Sequence, residues 1–374
     1  MVQSRRQGTP FPFEGPVPRE LLIDRQRELT LLSRRAGDRV HVRLAAPRRY
    51  GKTSLVLAHA ATLRETGWRT VHVDFSRVAD LTDAARRLAV GYGHLDTPWV
   101  RSHLQGLMMR LGVSLSAAGP GISLSARPSS PDRQAAETVL ERMLDLPLTL
   151  WEQDRTPTLV VYDEFQDLLV ARRDLDGVLR SRIQYHGDAA AYVFAGSEPS
   201  MMRELFETRE RPFFGQADPL ELAPLPVEES LTELAERFAA EGLDPGEALG
   251  ELVAFAAGHP QRTMLLAYLL SDRLLDGASG TPLVAAEVVD DALRRAAPAS
   301  QALWQQLGRS ERVVLTAVAD GIAPTNAALA AEHELGRTTL QVAADRLADQ
   351  GHLDRSVRGA ALIDPLLAEW LRRR

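Results

Sequence analysis

The 374-residue sequence contains no cysteine. This absence excludes disulfide bonds, thiolate metal sites and a cysteine nucleophile. The sequence also has no apolar run of membrane-spanning length, and the first 20 residues lack an apolar stretch behind Arg5 and Arg6 that could serve as a secretory signal. We therefore expect a cytoplasmic protein that makes no membrane contact.

Lysine is almost absent as well. Of the 44 basic residues only Lys52 is a lysine, and all the others are arginine. The formal net charge of -6 argues against a protein whose whole surface binds nucleic acid, although one local basic patch is compatible with it. A content of 45% hydrophobic and 25% charged residues is ordinary for a soluble globular protein, and the length allows about two or three domains.

The single lysine lies in the stretch AAPRRYGKTS at positions 45–54, between an apolar run at 40–44 and an apolar-periodic segment. This order predicts a strand, a tight loop and a helix, and the spacing from Ala46 to Thr53 is that of a P-loop. In such a loop, backbone N–H groups and the helix N-terminus hold phosphates, Lys52 reaches the β and γ oxygens, and Thr53 ligates Mg²⁺. Alanine stands at the first glycine position and tolerates positive φ less well.

The sole ammonium group in the chain therefore lies where phosphate binding needs a compact point charge. The alternative is a Gly-Lys-Thr turn that merely begins an ordinary helix. On the phosphate interpretation, the predicted nucleotide-binding residues of the loop are Ala46, Pro47, Arg48, Arg49, Tyr50, Gly51, Lys52, Thr53 and Ser54.

An acidic pair follows a second buried strand. The apolar run at 158–162 is typical of a central parallel strand and ends in Asp163 and Glu164. In a P-loop protein the two carboxylates would face Mg²⁺, with Asp163 near the metal and Glu164 positioning or deprotonating the attacking water. A solvated acidic turn is the alternative. Ser197, after the next apolar run, is either a sensor of the γ-phosphate or a turn residue.

Together, PRRxGKTS at 47–54, DEFQ at 163–166 and Gly196-Ser197 resemble the archaeal-type ATPases of the AAA+/STAND group, and the resemblance covers most of the chain. It implies ATP and Mg²⁺ as cofactors. It also implies that the DRQREL pattern at 24–29, including Arg25, covers the adenine, although an amphipathic surface helix would show the same pattern. A short element at 209–224 resembles the family too, but Gln216 occupies the place of the family's arginine. Arg211 or Arg209 is then the nearest substitute for an arginine that acts on a neighbouring molecule's nucleotide.

The remaining sequence is helical from about residue 226. Within it, the stretch GHPQR at 258–262 resembles the Gly-x-Pro element of STAND proteins, in which Pro260 would lie near the base and Arg262 would serve as a second sensor. A simple helix boundary is the alternative. From about residue 300, three helices, a two-stranded wing and a last helix are predicted, which is a winged-helix pattern.

Residues 309–374 contain nine basic and nine acidic residues, so they lack the excess of positive charge expected of a domain that binds duplex DNA. Arg355, Arg358 and the run 372–374 are the candidate phosphate contacts. We accordingly expect an ATP-binding and ATP-hydrolysing switch or assembly factor, with self-association or a protein partner. The alternative is an origin-recognition-like or regulatory ATPase that grips duplex DNA through the winged helix.

The sequence thus predicts an α/β fold with a three-layer αβα P-loop core around a parallel sheet. The expected domain limits are an extended arm at 1–20, the ATPase core at 21–225 with a hairpin insertion at about 112–131, a helical lid at 226–298 and the winged helix at 299–374.

Overall fold

A computed structural model describes residues 9–95, 97–118, 121–126, 133–355 and 359–374. Arg5, Arg6, Arg358 and residues 119–120 and 127–131 of the predicted hairpin insertion lie outside these ranges. The chain has two compact units, a sheet unit and a helical unit. The sheet unit comprises Gln26–Ala46 and Leu55–Glu221, and the helical unit comprises Met1–Arg25, Pro47–Ser54 and Leu222–Arg374.

The sheet unit is built on five parallel strands in the order β2-β5-β6-β1-β7. Every residue of β5 and β6 is buried, as expected for central strands covered on both faces. Because parallel strands place their carboxyl ends at one edge of a sheet, the residues that follow β1, β5 and β6 share that edge. The strands are β1 (Val42–Ala45), β2 (Arg69–Asp74), β5 (Thr158–Asp163), β6 (Ala190–Gly196) and β7 (Asp218–Glu221).

Helices flank this sheet, as predicted for a P-loop ATPase fold. The sequence pattern at 133–151 predicts one long helix, but the structure has two helices there, which meet at Asp145. The helices of this part of the chain are α1 (Gln26–Gly37), α2 (Lys52–Glu65), α3 (Leu81–Gly93), α4 (Pro98–Met109), α5 (Arg133–Leu144), α6 (Leu146–Asp154), α7 (Leu168–Ala171), α8 (Leu175–Ile183) and α9 (Pro199–Glu207). Helix α2 begins in the helical unit and continues in the sheet unit.

The predicted hairpin insertion contains two antiparallel strands, so the prediction of a hairpin is confirmed. Its strands are β3 (Val113–Ala118) and β4 (Gly121–Ala126), and Ser114 pairs with Ser125.

The helical unit has two apolar clusters, one around Leu270 and Val288 and one around Leu340 and Leu347. The sequence pattern at 285–296 predicts a fourth helix that ends at Ala296, but the observed helix continues through Pro298. The helices are α10 (Val227–Ala240), α11 (Gly246–Ala256), α12 (Pro260–Leu275), α13 (Pro282–Gln306), α14 (Arg309–Ala319), α15 (Ala327–Glu332), α16 (Arg337–Asp349) and α17 (Pro365–Arg372).

Between α16 and α17 lie two short antiparallel strands, β8 (Leu353–Asp354) and β9 (Ala361–Leu362). The tail therefore has the predicted order of three helices, two strands and a final helix, while its assignment as a winged helix stays a prediction. Helix α13 also crosses the predicted domain boundary at 298, and the domain limits stay predictions as well. None of the helices in the described ranges is both long and apolar enough to cross a lipid bilayer.

Candidate functional site

The phosphate-loop candidate is a tight turn that ends at a helix N-terminus. Helix α2 begins at Lys52, and its ammonium Nζ donates a hydrogen bond to the Pro47 carbonyl at 3.2 Å. Left-handed backbone occurs at Arg49 (φ 68°) and Gly51 (φ 85°), the positions where the loop reverses. Ala46 has no positive φ, so alanine at the first glycine position introduces no backbone strain.

Several side chains of this loop already have partners within the helical unit. The Ser54 hydroxyl accepts a hydrogen bond from the Val17 N–H at 2.9 Å, which attaches the N-terminal arm to the loop. The Tyr50 ring packs edge-on against His259, with 5.1 Å between ring centroids, and burial raises the pKa of Tyr50 to about 12. Arg48 and Arg49 remain exposed.

Arg262, the predicted second sensor, is buried and forms a two-pronged ion pair with Asp364. Its Nε and Nη2 donate to the two carboxylate oxygens at 2.9 and 2.5 Å. Burial alone would raise the pKa of Asp364, but the hydrogen bond and charge of Arg262 outweigh burial and lower it. Asp364 was not identified from the sequence, because it lies 102 positions away, at the start of α17.

The Gly-His-Pro element has a structural role at the start of α12. Gly258 has φ 73°, and a Cβ there would lie 2.5 Å from the Leu225 carbonyl oxygen, so only glycine fits without displacement. The His259 ring accepts a hydrogen bond from the Arg262 N–H, and Pro260 occupies the first turn. A helix boundary accounts for these residues, and the nucleotide contact of Pro260 stays a prediction.

Arg25 lies just ahead of helix α1 with φ 78° and is 5% exposed. Its Nη2 donates to the Ala223 carbonyl at 2.7 Å. The helix predicted after Asp24 therefore begins at Gln26, and the adenine contact of Arg25 stays a prediction.

Asp163 and Glu164 lie at the carboxyl edge of the parallel sheet, as the sequence predicted. Asp163 is 5% exposed, its Oδ1 accepts the Glu164 N–H at 3.1 Å, and its Oδ2 lies 3.4 Å from His72 Nε2. Glu164 has φ 49°, so the chain turns sharply as soon as β5 ends. His72 was missed by the sequence reasoning, although β2 is the neighbour of β5 and the two residues share one face.

Ser197 does not stand alone after β6, because it holds the Glu164 carboxylate. The Ser197 N–H and hydroxyl both donate to Glu164 Oε2, at 3.0 and 2.6 Å. Gln166, quoted above only as part of the DEFQ motif, donates to the same oxygen at 2.7 Å. The turn interpretation of Ser197 is thus incomplete, since its side chain engages the candidate catalytic group.

The arginine substitutes around Gln216 differ in their surroundings. Gln216 donates to the Phe214 carbonyl at 3.2 Å. Arg211 lies 2.5 Å from Glu204 and 3.5 Å from the buried Asp176, so its charge is balanced within its own chain. Arg209 is exposed. Of these two, Arg209 is the better candidate for reaching a neighbouring molecule.

The candidate phosphate-contacting arginines of the tail that the structure describes, Arg355 and Arg372–Arg374, all have contacts within the chain. Arg355 pairs with Asp345, and Arg373 contacts Asp290 and Glu369. Arg372 donates to the Ala319 carbonyl at 2.7 Å, and the guanidinium of Arg374 lies 4.2 Å above the Trp304 ring. These contacts hold the arginines against the protein surface.

Comparison with known proteins locates this fold. No protein-family model matches the chain, and none of the curated proteins matches it in sequence. Among solved structures, the Walker-type ATPase PABY2304 of Pyrococcus abyssi is similar with a TM-score of 0.67 and 18% identity, over 97% of this chain and 100% of that one. The ORC2 protein of Aeropyrum pernix, in ADPNP–ADP complexes, gives 0.65 and 16% identity over 96% of both chains.

A third structure, Aeropyrum pernix ORC1 in complex with DNA, gives a TM-score of 0.50 at 15% identity over 94% of this chain and 93% of that one. The chain has the fold of the archaeal Walker-type ATPases. At these identities the similarity concerns the fold alone.

The residues present are suited to bind Mg²⁺ and a nucleoside triphosphate. A buried carboxylate at a strand end, as in Asp163, is an acceptor-only group of the kind Mg²⁺ prefers, directly or through water. The helix N-terminus at Lys52, preceded by a loop with two left-handed residues, is suited to anionic oxygens. At Gly51, none of the described residues other than its own chain neighbours comes within 4 Å of where a Cβ would be, which leaves room for a ligand to approach the backbone.

Proposed function

We propose that this protein is a Mg²⁺-dependent ATPase that acts as a nucleotide-dependent switch or assembly factor. The observation that carries the proposal is the position of Lys52. The only lysine of the chain is 5% exposed at the N-terminus of α2, with P-loop spacing, in a chain with a P-loop ATPase fold. A compact ammonium group suits this position because it can act as a point charge among phosphate oxygens, which a bulkier guanidinium cannot.

Each residue has a distinct role in the proposed reaction. Lys52 and the backbone N–H groups of residues 48–53 would hold the β- and γ-phosphates, and Thr53 with Asp163 would hold Mg²⁺, which supplies charge neutralisation when bound. Glu164 would orient the attacking water and accept its proton through a carboxylate oxygen. Ser197, bonded to that carboxylate, would sense the state of the site through it.

The proposal is tested by ATP binding and turnover of the purified protein with and without Mg²⁺. Lys52→Ala should abolish both, and Lys52→Arg should impair both because the guanidinium is bulkier and cannot act as a point charge. Arg64→Ala, on the same helix but at its other end, is the matched control and should behave like wild type. Retained ATP affinity in Lys52→Ala would refute the phosphate-loop assignment.

For the tail, we propose a protein contact, either between copies of this chain or with another protein, rather than a grip on duplex DNA. The support is the internal pairing of Arg355, Arg372 and Arg373, since a phosphate contact would have to break each pair. The alternative keeps its support from the ORC1 structure determined with DNA. Binding to random duplex DNA over a salt series distinguishes the two, because phosphate-driven binding weakens steeply with salt.

A further inference from the structure

We propose that Gln166 is a positioning residue that orients the Glu164 carboxylate for hydrolysis. This inference rests on the proposed ATPase function and adds to it a residue to which the motif assigned no role. Gln166 is 2% exposed, and its Nε2 donates to Glu164 Oε2 at 2.7 Å. With the two bonds from Ser197, that oxygen receives three hydrogen bonds.

The orientation of the Gln166 amide is fixed by its neighbours. Its Nε2 lies between Glu164 Oε2 and Asp167 Oδ1, at 2.7 and 3.4 Å, and ionised carboxylates only accept hydrogen bonds. The NH₂ end must therefore face the acids. The turn itself is rigid: Asp167 Oδ2 accepts the Arg77 N–H at 2.7 Å, and the backbone N–H of Asp167 donates to the Glu164 carbonyl.

The core of the sheet unit supports this arrangement. Phe165, between the two polar residues, is 1% exposed and packs against Phe194 at a centroid distance of 4.8 Å. Gly196 leaves the space that the amide occupies, because a Cβ at that position would lie 2.5 Å from Gln166 Oε1. That Oε1 is buried and has no hydrogen-bond partner among the described residues, so the amide is kept at a cost to stability.

The chemical consequence is a carboxylate with one committed oxygen. Gln166, just after β5, and Ser197, just after β6, hold Oε2 from two neighbouring strand ends. Rotation of the carboxylate is thereby restricted, and Oε1, which takes part in none of these three bonds, is the oxygen that would take the proton from water. Without Gln166 the carboxylate would sample other rotamers, so turnover should fall while nucleotide affinity is retained.

The first measurement compares Gln166→Met, which keeps the length but donates nothing, with wild type and with Gln184→Met, an exposed control just after α8. We expect kcat to fall about 10- to 100-fold, as for a lost bond to a charged group, and KM for ATP to change less than about two-fold. In a Glu164→Gln background the same substitution should reduce the residual rate no further, because its effect passes through the carboxylate.

Gln166→Glu gives a readout that a structural role would not produce. Its carboxylate would repel Glu164 and Asp167 at neutral pH but would become a donor when protonated, so its kcat relative to wild type should rise as the pH is lowered from 8 to about 5.5.

The inference is overturned if Gln166→Met turns over like wild type, if kcat rises, which would make the contact a restraint, or if losses add in the Glu164→Gln background. Failure of the proposed function looks different, because wild type itself would then neither bind nor hydrolyse ATP.

Discussion

Glu164 was predicted to act on the attacking water and Arg262 to serve as a second sensor, and the structure gives the two side chains opposite surroundings. Glu164 is held by Gln166 and Ser197, polar residues 2 and 33 positions away, and these neutral donors leave its charge uncompensated. Arg262 is neutralised by Asp364, a residue 102 positions away. The difference shows that a predicted functional charge is available for chemistry only when its partners orient it without cancelling it.

The largest effect is expected from removing the charge of Glu164. Glu164→Gln should keep ATP binding but lower kcat about 100-fold or more, because the amide preserves the shape and loses the base. Steady-state turnover and nucleotide affinity measure the two effects, with the exposed Glu152→Gln as control. Unchanged turnover would show that Glu164 is not the catalytic carboxylate. The variant should also accumulate in whatever assembly the ATP state favours, which mass measurements with ATP and ADP detect.

The second prediction concerns the ion pair of Arg262. Asp364→Asn leaves a buried guanidinium uncompensated, although the amide oxygen can still cap α17, and should lower the free energy of unfolding by about 2–3 kcal/mol. Arg262→Met should cost less, about 1–2 kcal/mol, because the Asp364 side chain is 29% exposed.

Urea denaturation of both variants and of the double variant completes this test. The double variant should be more stable than Asp364→Asn alone, since it contains no unpaired buried charge. If Arg262→Met instead lowers kcat and leaves stability intact, Arg262 is a sensor rather than a structural cation.

The third prediction concerns four histidines of the two units whose pKa is lowered by burial. Burial lowers the pKa of His41, His59 and His186 in the sheet unit, and of His259 in the helical unit, to about 4. Between pH 6.5 and 4 these histidines bind more protons in the unfolded chain than in the folded one. Their contribution to the free energy of unfolding is therefore fully present above about pH 6.5 and is lost as the pH falls toward 4.

His186 offers the cleanest test of this pH dependence. Its Nδ1 lies 2.6 Å from the Tyr192 hydroxyl, and its Nε2 lies 3.8 Å from Asp145. His186→Gln should reduce the loss of unfolding free energy between pH 7.5 and 5 by about 2 kcal/mol relative to wild type. Urea titrations at the two pH values measure this change. The exposed His94→Gln is the matched control; equal effects of the two variants would contradict the prediction.

The smallest effect is expected in the tail. Replacing Arg355 and Arg372–Arg374 by glutamine should change ATP turnover without DNA by less than about two-fold, because the partners that the structure describes for these side chains lie on α13, α14, α16 and α17. On the protein-contact proposal, the same variant alters nucleotide-dependent oligomer mass. A micromolar DNA affinity of the wild type that weakens steeply with salt would reverse that proposal.

The sequence by itself determined the features that depend on local spacing. The sole lysine in a P-loop pattern, the acidic pair behind an apolar run and the hairpin insertion at about 112–131 could be predicted because strand–loop–helix order and two-residue periodicity depend on consecutive residues. The edge shared by Asp163 and Ser197 also followed, since carboxyl ends of parallel strands meet. The break at Asp145 and the continuation of α13 through Pro298 did not follow, because helix limits are set by packing that overrides local signals.

Only the tertiary structure decided which partner each polar side chain has. The pairing of Arg262 with Asp364, the approach of His72 to Asp163 and the place of Gln166 against Glu164 depend on which elements meet. A buried charge or amide takes the nearest complementary group that folding brings to it, and separation along the chain does not limit that choice. For this protein, composition and spacing therefore indicate a nucleotide-dependent enzyme, and three-dimensional packing decides which of its charges are free to act.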